Sequence, residues 1–190
     1  MELLLGIFSA FGLSASAGLN AYIPLLVISL VGRFTNLITL AEPWDSLENG
    51  WVIGVLILLS AIEFFADKIP AVNHANDLIQ TAVRPAAGAI AFAANAEIIT
   101  EINLVFSLVL GLLIAGGVHA AKSIVVRPAV TATTGGAGNI PISILEDVVS
   151  TFLSILSVLI PILVAVILIM VTAWVIWWLW RRANRMARAG

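Results

Sequence analysis

FLSILSVLIPILVAVILIMVTAWVIWWLW, residues 152–180, runs straight into RRANRMARAG at 181–190. A bilayer core about 30 Å thick takes about 20 helical residues, and this uncharged run is longer than that. It therefore predicts a membrane-spanning helix that tilts, bends near Pro161 or protrudes. Trp174, Trp177, Trp178 and Trp180, directly before Arg181 and Arg182, read as an interfacial aromatic belt with the basic tail on the cytoplasmic side.

The rest of the chain has the same character. Of its 190 residues 61% are hydrophobic and 11% charged, with a mean hydropathy of +1.11. A soluble domain is about 45–50% apolar and about 25% charged, so a water-soluble globule is excluded. The net charge is −2, and the tail takes Arg181, Arg182, Arg185 and Arg188 out of the small basic set. No basic surface remains for nucleic acid. The absence of cysteine rules out a disulfide framework and a thiolate metal site. Residues 1–190 read as one integral membrane domain, an all-α polytopic bundle.

Five further segments precede the last one. Residues 3–32 are apolar apart from small polar side chains and Asn20, and Gly18-Leu19-Asn20 and Pro24 interrupt them. Trp51–Ala66 is a second run, ending at Glu63, Asp67 and Lys68. Residues 86–96 are the apolar part of a third, which begins before Arg84-Pro85. Ile102–Ala121 is a fourth, and the Thr- and Gly-rich residues 129–149 are a weaker fifth. Ala15-Ser16-Ala17 imitates a signal-peptide cleavage site, but Glu2 stands where a positive charge belongs, so the first segment is expected to be retained.

With all six segments crossing, the N-terminus, 67–85, 122–128 and 181–190 lie inside and hold every Lys and Arg except Arg33. The outer loops 33–50, 97–101 and 146–150 then carry Glu42, Asp45, Glu48, Glu97, Glu101, Glu146 and Asp147. Both termini are cytoplasmic in this arrangement, as the bias of basic residues requires. Ser46 and the tail fall on opposite sides, and Trp44 and Trp51 sit at the face opposite the Trp174–Trp180 belt. In a rival arrangement four segments span, while 70–96 and 125–149 dip in as re-entrant segments buried against protein.

Thr81-Ala-Val-Arg-Pro-Ala-Ala-Gly-Ala89 is echoed by Ile124-Val-Val-Arg-Pro-Ala-Val-Thr-Ala132, an internal repeat of the sort common in transporters. Proline suits the first turn of a helix and pushes the residue before it into an extended conformation. Each motif thus reads as a helix start just after Arg84 or Arg127. Two roles stay open for the arginines: snorkelling to anionic headgroups, or facing the interior as paired donors for a carboxylate or phosphate. Glu63, the pair His119 and Lys122, and His74, Asn76, Asp77 and Gln80 fall near the same depth. Ionisable residues in spans are costly and often functional. Arg84 and Arg127 are expected to approach Glu63, Asp67 and Asp77, because an unpaired charge at this depth is strongly destabilising.

Two interruptions complete the pattern, Gly18-Leu-Asn-Ala-Tyr-Ile-Pro24 and Thr131-Ala-Thr-Thr-Gly-Gly-Ala-Gly-Asn-Ile-Pro141. Backbone freed by Gly and Pro must be buried in protein or line a cavity, and broken helices bind substrates or ions in transporters. Close helix packing by small residues is the competing explanation; for 131–139 the cavity is preferred.

No phosphate loop, zinc-protease motif or nucleophile elbow occurs. His74-x-x-Asp77 is too sparse to define a metal site. No catalytic residue, metal or cofactor is expected. The segments Gly18–Pro24, His74-Ala-Asn-Asp-Leu-Ile-Gln-Thr-Ala-Val-Arg-Pro85 and Arg127-Pro-Ala-Val-Thr-Ala-Thr-Thr-Gly-Gly-Ala-Gly-Asn139 together resemble an uncharacterised bacterial membrane family, domain of unknown function 4126. The likeness runs over nearly the whole chain. It implies an integral membrane protein and supplies no activity, so function rests on the residues. They point to a small transporter or channel-like permease of the inner membrane, for a small and anionic solute. Asn20, Arg84, Arg127, Thr131, Thr133, Thr134 and Asn139 are the substrate-binding candidates; Glu63, Asp77, His74 and His119 are the proton-coupling candidates. The alternative is a non-transporting scaffold or lipid-interacting protein. Membrane lipids, an unidentified solute and a second copy of the chain, as a homodimer, are the expected partners.

Overall fold

The computed structural model describes residues 2–96 and 103–187. Among these every regular element is helical: α1 (Glu2–Leu19), α2 (Tyr22–Phe34), a 3₁₀ turn at Trp44–Glu48, α3 (Gly50–Ala66), α4 (Pro70–Ala96), α5 (Leu104–Ala121), a π-helical stretch at Lys122–Val126, α6 (Arg127–Thr134), α7 (Asn139–Leu159) and α8 (Pro161–Ala187). Leu104–Thr134, Asn139–Leu159 and Pro161–Trp178 are long and apolar enough to cross a membrane, and Leu4–Leu19, Tyr22–Phe34 and Gly50–Ala66 are shorter apolar helices. Large apolar side chains on the outside, Leu58, Phe65, Val105, Leu113 and Ile169 among them, are exposed. An outer surface of this kind belongs in lipid. The chain is a helical membrane protein.

The first segment folds differently from the expectation. Asn20 ends α1, and its Oδ1 accepts from the backbone nitrogens of Tyr22 and Ile23, both at 3.1 Å, so it starts α2 as a helix cap. The chain then turns back: Leu37 and Ile38, beyond α2, lie beside Leu5, Gly6 and Ser9 of α1. Residues 3–32 are an antiparallel pair, and Glu2 lies at the opposite end of the bundle from Asn20. α3 returns alongside α2, with Glu48 facing Gly32 below and Glu63 meeting Ala21 above.

α4 runs down against α1, Gly88 at Ser14 and Phe92 at Phe11. Arg84-Pro85 starts no helix; Pro85 lies inside α4. A missing N–H in mid-helix is tolerable in a membrane bundle where neighbours re-satisfy the backbone. α5 climbs back, pressed on α4 at Gly88, Gly111 and Ala115, small residues that let two backbones approach. Arg127-Pro128 does open a helix, α6, but out of the π-helical stretch and without a break in the rod.

Thr131–Asn139 is an exposed hairpin turn and lines no interior passage among the described residues. Gly135 and Gly136 have φ of 63° and 92°, a left-handed stop that only glycine makes without strain. Here the glycines end α6, and the chain reverses into α7. α7 carries Glu146 and Asp147 in its body, both buried, where an outer loop was expected. α7 descends with Asp147 at Asn20, Ser150 and Ser154 at Ser16, and Ser157 at Gly12.

The run 152–180 is broken at Ile160-Pro161, yet α8 continues in the direction of α7. Val164 meets Gly12, and Ala165, Leu168 and Ile169 gather with Ile7, Phe8 and Phe11. Counted down from the Gly12–Val164 contact at about 1.5 Å per residue, α1 reaches its first residue, Glu2, level with the start of the Trp174–Trp180 belt. That belt, exposed at Trp174, Trp177, Trp178 and Trp180, therefore lies at the Glu2 end, together with Trp44, Trp51 and the loop around Ser46. The expected opposition between the two tryptophan groups is overturned. Residues 67–84 and 119–127 lie at the other end, away from both termini. Glu97 and Glu101 lie outside the described residues.

Candidate functional site: a buried charge cluster

The sequence breaks converge at the Asn20 end. The C-terminus of α3 delivers Glu63, Asp67 and Lys68; α4 delivers Asp77 and Arg84; the end of α5 and its π-helical extension deliver His119 and Lys122; α6 begins with Arg127; α7 adds Glu146 and Asp147. Arg84 and Glu63 are 0% and 1% exposed. Arg84 Nη2 and Nε reach Glu63 Oε1 at 2.9 and 3.2 Å, and the same carboxylate accepts from the free N–H of Ala21 at 3.1 Å. The carboxylate thus closes the N-terminus of α2, where unpaired amides favour an anion.

Asp67 joins the two arginines. Its Oδ2 lies 3.4 Å from Arg84 Nη2 and 3.2 Å from Arg127 Nη2, with Lys122 Nζ at 3.9 Å, and its Oδ1 accepts from Asn76 Nδ2 at 2.6 Å. Arg127 Nη1 donates to both oxygens of Asp77, at 2.7 and 2.6 Å. Lys122 Nζ lies 2.7 Å from Glu146 Oε2 and donates to the carbonyl of Leu19 at 3.1 Å, the last residue of α1. Asn20 Nδ2 donates to Asp147 Oδ1 at 2.9 Å, and Lys68 Nζ to Asp147 Oδ2 at 3.0 Å. Charged groups out of water are tolerable when each is paired and hydrogen-bonded, and here the pairs are contiguous.

His119 has its state fixed by its neighbours. A guanidinium carries only donors, so the Arg84 Nη1 contact at 3.2 Å makes His119 Nδ1 an acceptor. The ring proton then sits on Nε2 and donates to Thr81 Oγ1 at 3.3 Å, while Thr81 donates to the carbonyl of Asp77 at 2.8 Å. His119 is neutral in this arrangement, and a second proton would set two donors against each other.

Asn20, Glu63, Asp77, Arg84, His119 and Arg127 come together as candidates of the sequence reading. Thr131, Thr133, Thr134 and Asn139 stand apart in the exposed hairpin, bonded locally: Asn139 Nδ2 donates to Thr131 Oγ1 at 3.0 Å, and Thr134 Oγ1 to the carbonyl of Val130 at 2.7 Å. The side chain of His74 lies outside the described residues. Lys68, Glu146 and Asp147 were missed. Their signal was present, since Ser143, Glu146, Asp147, Ser150, Ser154 and Ser157 recur at helical spacing on one buried face of α7.

Fold and site together define a polytopic helical membrane protein with a buried ion-pair cluster. The chain belongs to the family described as domain of unknown function (DUF4126), whose model matches residues 7–182. No curated protein and no solved structure matches it.

Proposed function

We propose that the protein is a small permease of the bacterial inner membrane, for a small anionic solute, in which the charge cluster is the closed gate. One observation carries this reading. Four cations, Lys68, Arg84, Lys122 and Arg127, meet five carboxylates, Glu63, Asp67, Asp77, Glu146 and Asp147, where the α1–α2 break and the π-helical stretch converge. Ion pairs that join five helical elements across such breaks can be exchanged as a set. An incoming anion competes with Asp67 and Asp77 for Arg127, and loosening that pair frees α6 from α4. The set also holds one carboxylate more than it has cations, which leaves room for one coupling proton, carried as a neutral acid by Asp147, Glu63 or Asp77, and by His119 only once Arg84 has left its Nδ1.

Both termini are taken as cytoplasmic from the arginine tail, which makes the cluster the outward-facing gate. Assembly as a homodimer belongs to the same reading, since one bundle of short, Gly- and Ala-rich helices encloses little volume.

The test is a current measurement on proteoliposomes adsorbed to a solid support, challenged in turn with chloride, inorganic phosphate and acetate. The expected result is a transient current with one of these anions that disappears in Arg127→Gln combined with Asp77→Asn, a neutral pair whose thermal midpoint in detergent stays closer to the wild type than that of Arg127→Ala, which strands Asp77. A double variant that transports normally would remove this arginine from the gate.

A second reading, a scaffold that binds lipid or a partner, is favoured by α8. Beyond Leu168 its described side chains are exposed, and Arg181 stacks on Trp177 at 4.3 Å. Removal of 181–190 abolishing membrane partner capture, with no anion current in the wild type, would favour it.

A further inference from the structure

A polar seam runs down the bundle from the cluster toward the tryptophan end. Below Asn20 and Asp147, Ser16 Oγ lies 2.7 Å from both Ser150 Oγ and Ser154 Oγ, and all three serines are fully buried. One turn further down, Ser157 faces Gly12, where a Cβ would collide with its hydroxyl. The seam ends at a cavity of about 280 Å³ bounded by Leu5, Ser9, Ile38, Asn95, Val158 and Pro161. Asn95 is 1% exposed, and its amide nitrogen has no hydrogen-bond partner. A buried donor left unpaired costs about 1–3 kcal/mol, a cost that internal water removes.

Small residues alone would explain close packing of α1 on α7. They do not explain an unpartnered amide beside a cavity at the far end of the same seam. We propose that the Ser9–Asn95 cavity is a water-binding site and that, with the serine seam, it forms a proton path between the tryptophan end and the charge cluster. A hydronium in the cavity gives up a proton and remains as water. Each seam hydroxyl accepts a proton on its oxygen and passes its own onward, so the serines stay neutral and end with their O–H bonds reversed. For the proton to pass, Ser157 Oγ must leave the Leu153 carbonyl to which it donates at 2.6 Å, and transient water must bridge it to Ser154 on one side and to the cavity on the other. The arriving proton is taken by a carboxylate oxygen of Asp147, which faces Lys68 at the end of α3 and Asn20 at the α1–α2 break.

The inference deepens the permease reading by giving its coupling proton a route, and its test contains no transported solute, so the two fail separately. Phosphatidylcholine liposomes holding the full chain, an internal pH dye and potassium gluconate receive valinomycin, and proton entry is followed. Wild-type liposomes are expected to acidify faster than protein-free ones. Ser16→Ala with Ser154→Ala should lose the excess rate, whereas Ser29→Ala, a buried serine on α2 bonded to the Leu25 carbonyl, should keep it. A wild-type rate equal to that of empty liposomes, or an unchanged double variant, overturns the path. Should the double variant fold poorly, Ser9→Cys gives the chain a single thiol. Its modification by a water-soluble methanethiosulfonate is expected to stop proton entry, and modification without effect overturns the proposal.

Discussion

Arg84 is the residue on which the cluster closes. It is the largest fully buried side chain among those described, and it holds Glu63, Asp67 and His119 at once. Arg84→Gln strands Glu63 as a buried charge, so the stability lost should be about 3–5 kcal/mol, read as a fall in the thermal midpoint in detergent. Adding Glu63→Gln should recover most of the loss, because a neutral pair leaves no isolated charge; a double variant no better than the single one would show that Arg84 acts by shape. Much of this was legible in the sequence. Arginine and glutamate within apolar segments must find each other, and the expected approach of Arg84 and Arg127 to Glu63, Asp67 and Asp77 is what the structure contains. Glu146 and Asp147 were misread because two adjacent acids look like a loop unless the serines on either side are counted at helical spacing.

At the scale of elements, the sequence located helices better than it located their ends. Trp51–Ala66 and Ile102–Ala121 correspond closely to α3 and α5, since uniform apolar runs leave no other option. Polar interruptions were ambiguous: Gly18–Pro24 and Thr131–Pro141 both mark reversals, and only the contacts of the returning strand of chain distinguish a reversal from a kinked span. Pro85 misled in the other direction, as an interior proline that stops nothing. The packing of α4 on α5 gives the sharpest prediction here. A Cβ at Gly111 would lie 2.7 Å from Ala89 Cα, against backbone that cannot rotate away, so Gly111→Ala should cost about 1–3 kcal/mol. Gly117 on the same helix has nothing within 4 Å, and Gly117→Ala should be neutral or stabilising by up to about 1 kcal/mol. Equal midpoints for the two variants would contradict the close α4–α5 contact.

For the molecule as a whole, the account rests on two chemically different ends. One collects Glu2, the loop around Ser46, the tryptophans and Arg181 at the start of the tail; the other holds the ion-pair cluster under the α6–α7 hairpin. The sequence reading placed the cluster with the termini, because counting basic residues treats a buried, paired arginine like one in a free loop. Arg33 and Arg181 of the tail lie outside the cluster, whereas Arg84, Lys122 and Arg127 are neutralised within the bundle. The most direct measurement uses the absence of native cysteine. Single variants Ser46→Cys, Asn184→Cys and Ala137→Cys are labelled in intact cells and in inverted vesicles with a membrane-impermeant maleimide. The account predicts that Ser46→Cys and Asn184→Cys react only in inverted vesicles, and Ala137→Cys, at the tip of the hairpin, only in intact cells. Labelling of Ala137→Cys from the same side as Asn184→Cys would contradict it.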